Sequence, residues 1–144
     1  MSTLMFSPLS TSHGAEYSCQ AVIDIRALNI TKTGVDSADL IVQIPSPLVV
    51  VHAPERELVA GSYLSLSCSI TPLSVDTPTT ITSTWTTPNT TLNAVNDTSV
   101  DLPISNAKTA DSGVYICSST LIDSTSSMYI MDSEPGRNST TIIV

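Results

Sequence analysis

Cations are scarce in this chain: 5 Lys plus Arg stand against 13 Asp plus Glu in 144 residues, a formal net charge of −8. Binding a phosphate backbone takes clustered Lys and Arg, so nucleic acid is excluded as a partner, and an anionic membrane surface would repel the chain as well. Long apolar runs are also missing. A membrane-spanning helix needs about 18 nearly uninterrupted apolar residues, whereas the best stretch, Leu40–Val51, is broken by Gln43, Pro45, Ser46 and Pro47. The first twenty residues contain neither the basic segment nor the long apolar segment of a secretion signal. Either the protein stays in the cytosol or the chain is a fragment of a longer product, and the internal repeat favours the second.

Residues that carry chemistry are equally sparse. The only histidines are His13 and His52, and neither stands beside a nucleophile motif such as G-x-S-x-G. The five glycines, Gly14, Gly34, Gly61, Gly113 and Gly136, are too dispersed for a phosphate-cradling loop. Cys and His lie too far apart for a zinc site. Asp97-x-Ser99-x-Asp101 offers oxygens to calcium but lacks the Gly and terminal Glu of an EF-hand loop. We therefore expect no catalytic residues, no metal and no cofactor, and a chain that is not an enzyme. With 41% apolar and only 12% charged residues, it can still bury a core.

The chain does contain a repeat. A shift of 98 residues superposes Leu4, Phe6, Leu9, His13, Ala15, Tyr17 and Cys19 on Leu102, Ile104, Ala107, Asp111, Gly113, Tyr115 and Cys117. After each Cys comes a polar stretch and then a β-branched run, Asp39-Leu40-Ile41-Val42 in the first copy and Thr141-Ile142-Ile143-Val144 in the second. A fixed period means a repeated structural unit. The reading is a C-terminal part of one unit over residues 1–44, a short linker at 45–47 stiffened by Pro45 and Pro47, and a complete unit over 48–144.

Within the complete unit the apolar period is two. Leu64, Leu66, Cys68 and Ile70 alternate with serines; Ile81, Ser83 and Trp85 share one strand face, opposite Thr82, Thr84 and Thr86; Leu102 with Ile104, and Tyr115 with Cys117, repeat the pattern. Clusters of Pro, Gly, Asn and Asp separate these runs, as suits a sandwich of short antiparallel strands, and no segment carries a helical apolar stripe. Cys68, Trp85 and Cys117 all point inward and can meet in one core.

That trio resembles the immunoglobulin domain, and the resemblance extends over the whole of 48–144 and, in its last third only, over 1–44. Gly61-x-x-x-x-Leu66-x-Cys68 resembles the turn into strand B, Trp85 the strand C tryptophan, and Asp111-Ser112-Gly113-Val114-Tyr115-Ile116-Cys117 the E–F corner with strand F. The resemblance implies an all-β, immunoglobulin-like sandwich of constant or intermediate type, because 48 residues between Cys68 and Cys117 leave no room for the extra strands of a variable domain. It implies a Cys68–Cys117 disulfide, worth about 4 kcal/mol in the chain-entropy account, with Trp85, Leu66, Leu102, Ile104 and Tyr115 in the core. The alternative is a set of buried free thiols. Tyr115 takes the tyrosine-corner position, its hydroxyl bonding upstream backbone; Asp111 accepts backbone N–H bonds in the turn beside Gly113. His13 to Cys19, with Tyr17 at the corner position, is a second copy in which His13 replaces the usual Asp. Cys19 is left unpaired, since its partner would precede Met1. Trp85 follows Cys68 by 17 residues, implying a long connection through Pro72–Pro78.

The implied function is recognition: a module of a cell-surface or secreted ectodomain with neighbouring immunoglobulin-like repeats, binding a protein ligand, homophilic or glycan-bearing. A spacer without its own ligand and an intracellular muscle-type repeat protein are the alternatives. The outward sheet face around Ile116 and Thr84, with the loops Asp123–Ser127 and Ser133–Arg137 at its end, is the expected contact surface. Four N-x-S/T sequons, at Asn29, Asn89, Asn96 and Asn138, stand against about two expected by chance from six Asn and 43 Ser plus Thr. Asn89 and Asn96, in a turn-rich stretch, are the favoured glycan sites.

Overall fold

The alternation of apolar residues with serine and threonine is realised as two facing sheets. The computed structural model describes residues 2–7, 9–73 and 77–144, so the centre of the Pro72–Pro78 connection and Met1 lie outside the described residues. In one sheet, β5 (Leu64–Thr71) lies between β4 (Leu48–His52) and β8 (Ser99–Ile104), all antiparallel. In the other, β9 (Gly113–Asp123) lies between β11 (Gly136–Ile142) and β6 (Thr79–Thr86), and β7 (Thr91–Val95) extends β6. The inward positions of β5, Leu64, Leu66, Cys68 and Ile70, are buried while Ser65 and Ser67 are half-buried and Ser69 is exposed, as a period of two requires. These residues join Val49, Trp85, Val100, Ile104, Tyr115, Cys117 and Ile142 in one core.

Seven strands thus form the sandwich, three against four. The stretch between Trp85 and Leu102 that reads as turns contains β7, because the tight Thr87–Thr90 turn, closed by a Thr87 N–H to Thr90 carbonyl bond of 2.9 Å, folds the chain straight back along β6. After β4 the chain crosses to the other sheet and meets the residue that follows β11. There Leu58 N–H donates to the Ile143 carbonyl and Ile143 N–H to the Arg56 carbonyl, each at 2.8 Å, a single parallel bridge between Glu57 and Ile143.

The N-terminal residues make a different object. β1 (Ala15–Ile25) and β2 (Ile30–Leu40) form a long antiparallel ribbon, in register from Ala15–Leu40 to Ile25–Ile30, with no third strand among the described residues. Its two faces differ. Ala15, Tyr17, Cys19, Ala21, Ile23 and Ile25 share one face with Leu40, Ala38, Asp36, Gly34, Lys32 and Ile30, whereas Glu16, Ser18, Gln20, Val22 and Asp24 share the other with Asp39, Ser37, Val35, Thr33 and Thr31. Ile23 is 62% exposed and Val22 59%. Residues 2–7, where the shift places the counterpart of β8, form no strand. β8 pairs with β5, and nothing described pairs with Leu4–Phe6.

Between ribbon and sandwich, β3 (Val42–Gln43) runs parallel to β10 (Ile130–Met131), a short strand in the β9–β11 connection. Val42 N–H donates to the Tyr129 carbonyl and Ile44 N–H to the Met131 carbonyl, each at 2.9 Å. Ile44 is 1% exposed. Gly14 comes so close to the Tyr129 carbonyl that a Cβ there would overlap the oxygen.

Candidate functional site

The site is built on the core beneath it. Cys68 of β5 and Cys117 of β9 are joined across the sandwich, S–S 2.02 Å with Cα atoms 6.4 Å apart. Trp85 sits opposite Cys117 on β6, fully buried, and its indole N–H donates to the Val100 carbonyl of the facing sheet at 3.1 Å. A buried indole N–H requires such a partner, so the tryptophan fastens the two sheets by a hydrogen bond as well as by contact. Leu66, Ile104 and Tyr115 are buried beside it, and Leu102 is half-buried against the same cluster.

At the corner before β9, the Tyr115 hydroxyl donates to the Asp111 carbonyl at 2.6 Å. The Asp111 carboxylate accepts from the Lys108 N–H at 2.9 Å and from the Asn89 amide at 3.1 Å. Burial, and then the Asp111 charge, raise the Tyr115 phenol above its ordinary 10.0. Gly113 is required here: its φ is +150°, and a Cβ would lie 2.6 Å from Pro88 Cγ. The corner therefore holds the β6–β7 turn, through Asn89 and Pro88, in the same place as the start of β9.

With Trp85 and Cys117 pointing in, their neighbours point out. Thr82, Thr84 and Thr86 of β6 stand beside Thr120, Ser118 and Ile116 of β9; Asn93 of β7 pairs with Thr84; Ser139 and Arg137 of β11 pair with Ile116 and Ser118. The Thr84 hydroxyl donates to Asn93 Oδ1 at 3.0 Å. The face is mostly hydroxyls and amides, with the half-buried Ile116 and two exposed valines, Val95 paired with Thr82 and Val114 paired with Thr141. Arg137 is the sole charge among these paired residues. Thr84 and Ile116 are thus brought together, whereas the loop at the end of the face is not the free cap that the sequence implied. Ser133 is buried at 6%, its hydroxyl accepting from the Leu121 N–H at 2.8 Å, and Ile130–Met131 is paired with β3. Asp123–Ser127 is a polar turn tied to its surroundings by the Asp123 N–H to Asp132 Oδ1 at 2.9 Å and the Ser124 N–H to the Pro78 carbonyl at 3.0 Å. The Thr125 hydroxyl and the Thr125 and Ser127 amides donate to the Asp123 carboxylate, and these bonds, Thr125 first, lower its pKa.

Elsewhere, an open groove of about 490 Å³ lies against the ribbon, lined by Leu4, Tyr17, Cys19, Gln20, Asp36 and Ala38 among others. Cys19 is a free, exposed thiol. His13 accepts the Ser10 N–H on Nδ1 at 2.9 Å and packs on Phe6, ring centroids 4.5 Å apart. Among the described residues no three His, Cys, Asp or Glu side chains gather as metal ligands, and no helix is long and apolar enough to cross a membrane.

No family model matches the sequence, and no curated protein matches it. Among solved structures the chain is similar to the amphioxus IgVJ-C2 molecule at 20% identity and a TM-score of 0.43, over 94% of this chain and 63% of that one. The chain spans less than two thirds of that neighbour's length. Two facing antiparallel sheets, a bridge between them under a buried indole and a tyrosine corner at the start of β9 make the fold an immunoglobulin-like β-sandwich.

Proposed function

We propose that this chain is part of the extracellular portion of a cell-surface or secreted protein built from successive immunoglobulin-like units, and that it binds a protein partner. In this reading residues 48–144 are one whole unit, and residues 1–44 are the closing strands of the unit before it. The alternation of apolar and polar residues along β1 supports the second point. An isolated hairpin is marginal in water, and the face bearing Tyr17 and Cys19 corresponds, at the 98-residue shift, to the β9 face that Trp85 and Cys68 cover in the sandwich.

The observation that carries the binding role is the outward face of β7-β6-β9-β11. It combines paired strands, many hydroxyls, no carboxylate among its outward paired residues, and an apolar contribution from Ile116, Val114 and Val95. A chain of net charge −8 that keeps its acids off one broad face leaves that face free to approach another protein without repulsion. The test is binding of the clustered chain to itself and to intact cells, before and after Ile116→Arg with Thr84→Arg. Loss of binding by tenfold or more, with unchanged thermal melting, is the expected result. Unchanged binding rejects this face.

The β3–β10 pair favours a second reading, a spacer, since it fixes the ribbon against the sandwich. A spacer shows no binding in either form of the chain.

A further inference from the structure

The four sequons differ in the chemistry available at each asparagine. Asn29 closes the β1–β2 ribbon in the left-handed region, φ 48°, and Asn96 closes the β7–β8 turn at φ 60°. All four sequon asparagines are exposed, as are Thr31, Thr91 and Thr98, the hydroxyls two residues on, whereas Thr140 is buried, so the difference lies in the hydrogen bonds of the amides. Neither the Asn29 nor the Asn96 amide nitrogen has a hydrogen-bond partner among the described residues; Asn96 uses only its Oδ1, accepting from the Ile81 N–H at 3.3 Å.

Asn89 and Asn138 have their amides engaged. Asn89 Nδ2 donates to the Ala110 carbonyl at 3.2 Å and to Asp111 Oδ1 at 3.1 Å, which uses both its hydrogens. Asn138 Nδ2 donates to the Val49 carbonyl at 3.2 Å, tying β11 to β4 across the seam of the sandwich. The hydroxyl of its sequon, Thr140 Oγ1, is buried and without a partner.

We propose that Asn29 and Asn96 carry N-linked oligosaccharide and that Asn89 and Asn138 keep free amides, a selection made by the fold among four equivalent sequence motifs. The inference rests on the extracellular reading, since the glycan donor is met on the secretory route. The donor is an oligosaccharide linked to a lipid diphosphate. The bond from the sugar's anomeric carbon to the diphosphate oxygen breaks, a bond from that carbon to Nδ2 forms, one Nδ2 proton is lost, and the lipid diphosphate leaves. One hydrogen then remains on Nδ2. Asn29 and Asn96 lose nothing by this. A glycan on Asn89 would remove one of two bonds to the E–F corner and set a sugar against Asp111, and one on Asn138 would wedge between β11 and β4.

The experiment is secretion of the whole 144-residue chain from animal cells behind a foreign leader, followed by enzymatic glycan release in ¹⁸O-labelled water, which marks each formerly glycosylated Asn as labelled Asp. Label at 29 and 96 at least tenfold above that at 89 and 138 is expected. Thr31→Ala and Thr98→Ala should each remove one glycan from the intact mass, Thr91→Ala should leave it unchanged, and Thr31→Ser, which retains the sequon, should keep its glycan. Comparable label at 89 or 138, or none at 29 and 96 in secreted protein, overturns the proposal. Because the leader imposes the route, neither result depends on the natural location or on partner binding, which the Ile116→Arg with Thr84→Arg test addresses separately.

Discussion

The Tyr17 hydroxyl donates to the His13 carbonyl at 2.7 Å, four residues upstream, and Tyr115 does the same to Asp111 at 2.6 Å. Each tyrosine spans a 3-10 turn, Thr11–His13 or Thr109–Asp111, and each turn is closed by a backbone N–H donating to a side chain: Ser10 to His13 Nδ1 and Lys108 to Asp111 Oδ2, both at 2.9 Å. An unprotonated imidazole nitrogen accepts where a carboxylate accepts. His13 and Asp111 therefore do one structural job with different chemistry.

Tyr115→Phe should lower the urea midpoint by the equivalent of about 1 kcal/mol, the net worth of one such hydrogen bond. The pH dependence has a definite sign. Because the folded phenol sits above 10.0, the folded state holds its proton more tightly than the unfolded state. That contribution is complete below the unfolded value and lost as pH rises through the folded one. Wild type should thus lose stability in that alkaline window and Tyr115→Phe should not; equal losses in parallel urea titrations would refute the assignment.

Replacing Cys68 and Cys117 by alanine removes a bridge closing a 49-residue separation and should cost about 4 kcal/mol. Trp85→Ala should cost about 3–5 kcal/mol. In native protein a thiol reagent should label Cys19 alone, and Cys19→Ser should leave the melting temperature unchanged.

At the junction, the amides of Val42 and Ile44 are held by the Tyr129 and Met131 carbonyls. Gly14→Val should displace Tyr129 and speed exchange of those two amides by about tenfold, while amides of β5 and β9 keep their protection. Uniform acceleration across the sandwich would mean that the junction and the core open together.

The Asp123 carboxylate, held below its ordinary pKa by Thr125 and Ser127, stabilises its turn above the usual carboxylate range and ceases to do so as pH falls through the lowered value. Thr125 and Ser127 amide shifts should titrate in that acid window, and in Asp123→Asn they should not.

Some of this was legible in the sequence because period two is a local signal. It places Cys68, Trp85 and Cys117 inward and, by the same parity, Thr84 and Ile116 outward. β7 was not legible: in Thr91-Leu92-Asn93-Ala94-Val95 the apolar face is only Leu92 and Ala94, with Val95 on the other side, too short an alternation to mark an edge strand among turn residues. β3 and β10 are two residues each, and their pairing joins parts of the chain as far apart as Gln43 and Asp132, separated by 89 residues. The burial of Ser133 follows from that fold-back, and a serine flanked by Asp132 and Glu134 gives no hint of it. The hydrogen bonds that distinguish Asn89 from Asn96 depend likewise on which loops meet in space.

The parallel pairing of β3 with β10 also bears on mechanics. Tension applied through the N-terminal ribbon reaches the sandwich along Val42–Ile44, where two backbone bonds and the buried Ile44 side chain take the load before β4 does. Pulling would part this short latch first, releasing slack and leaving the covalently bridged layers behind it intact.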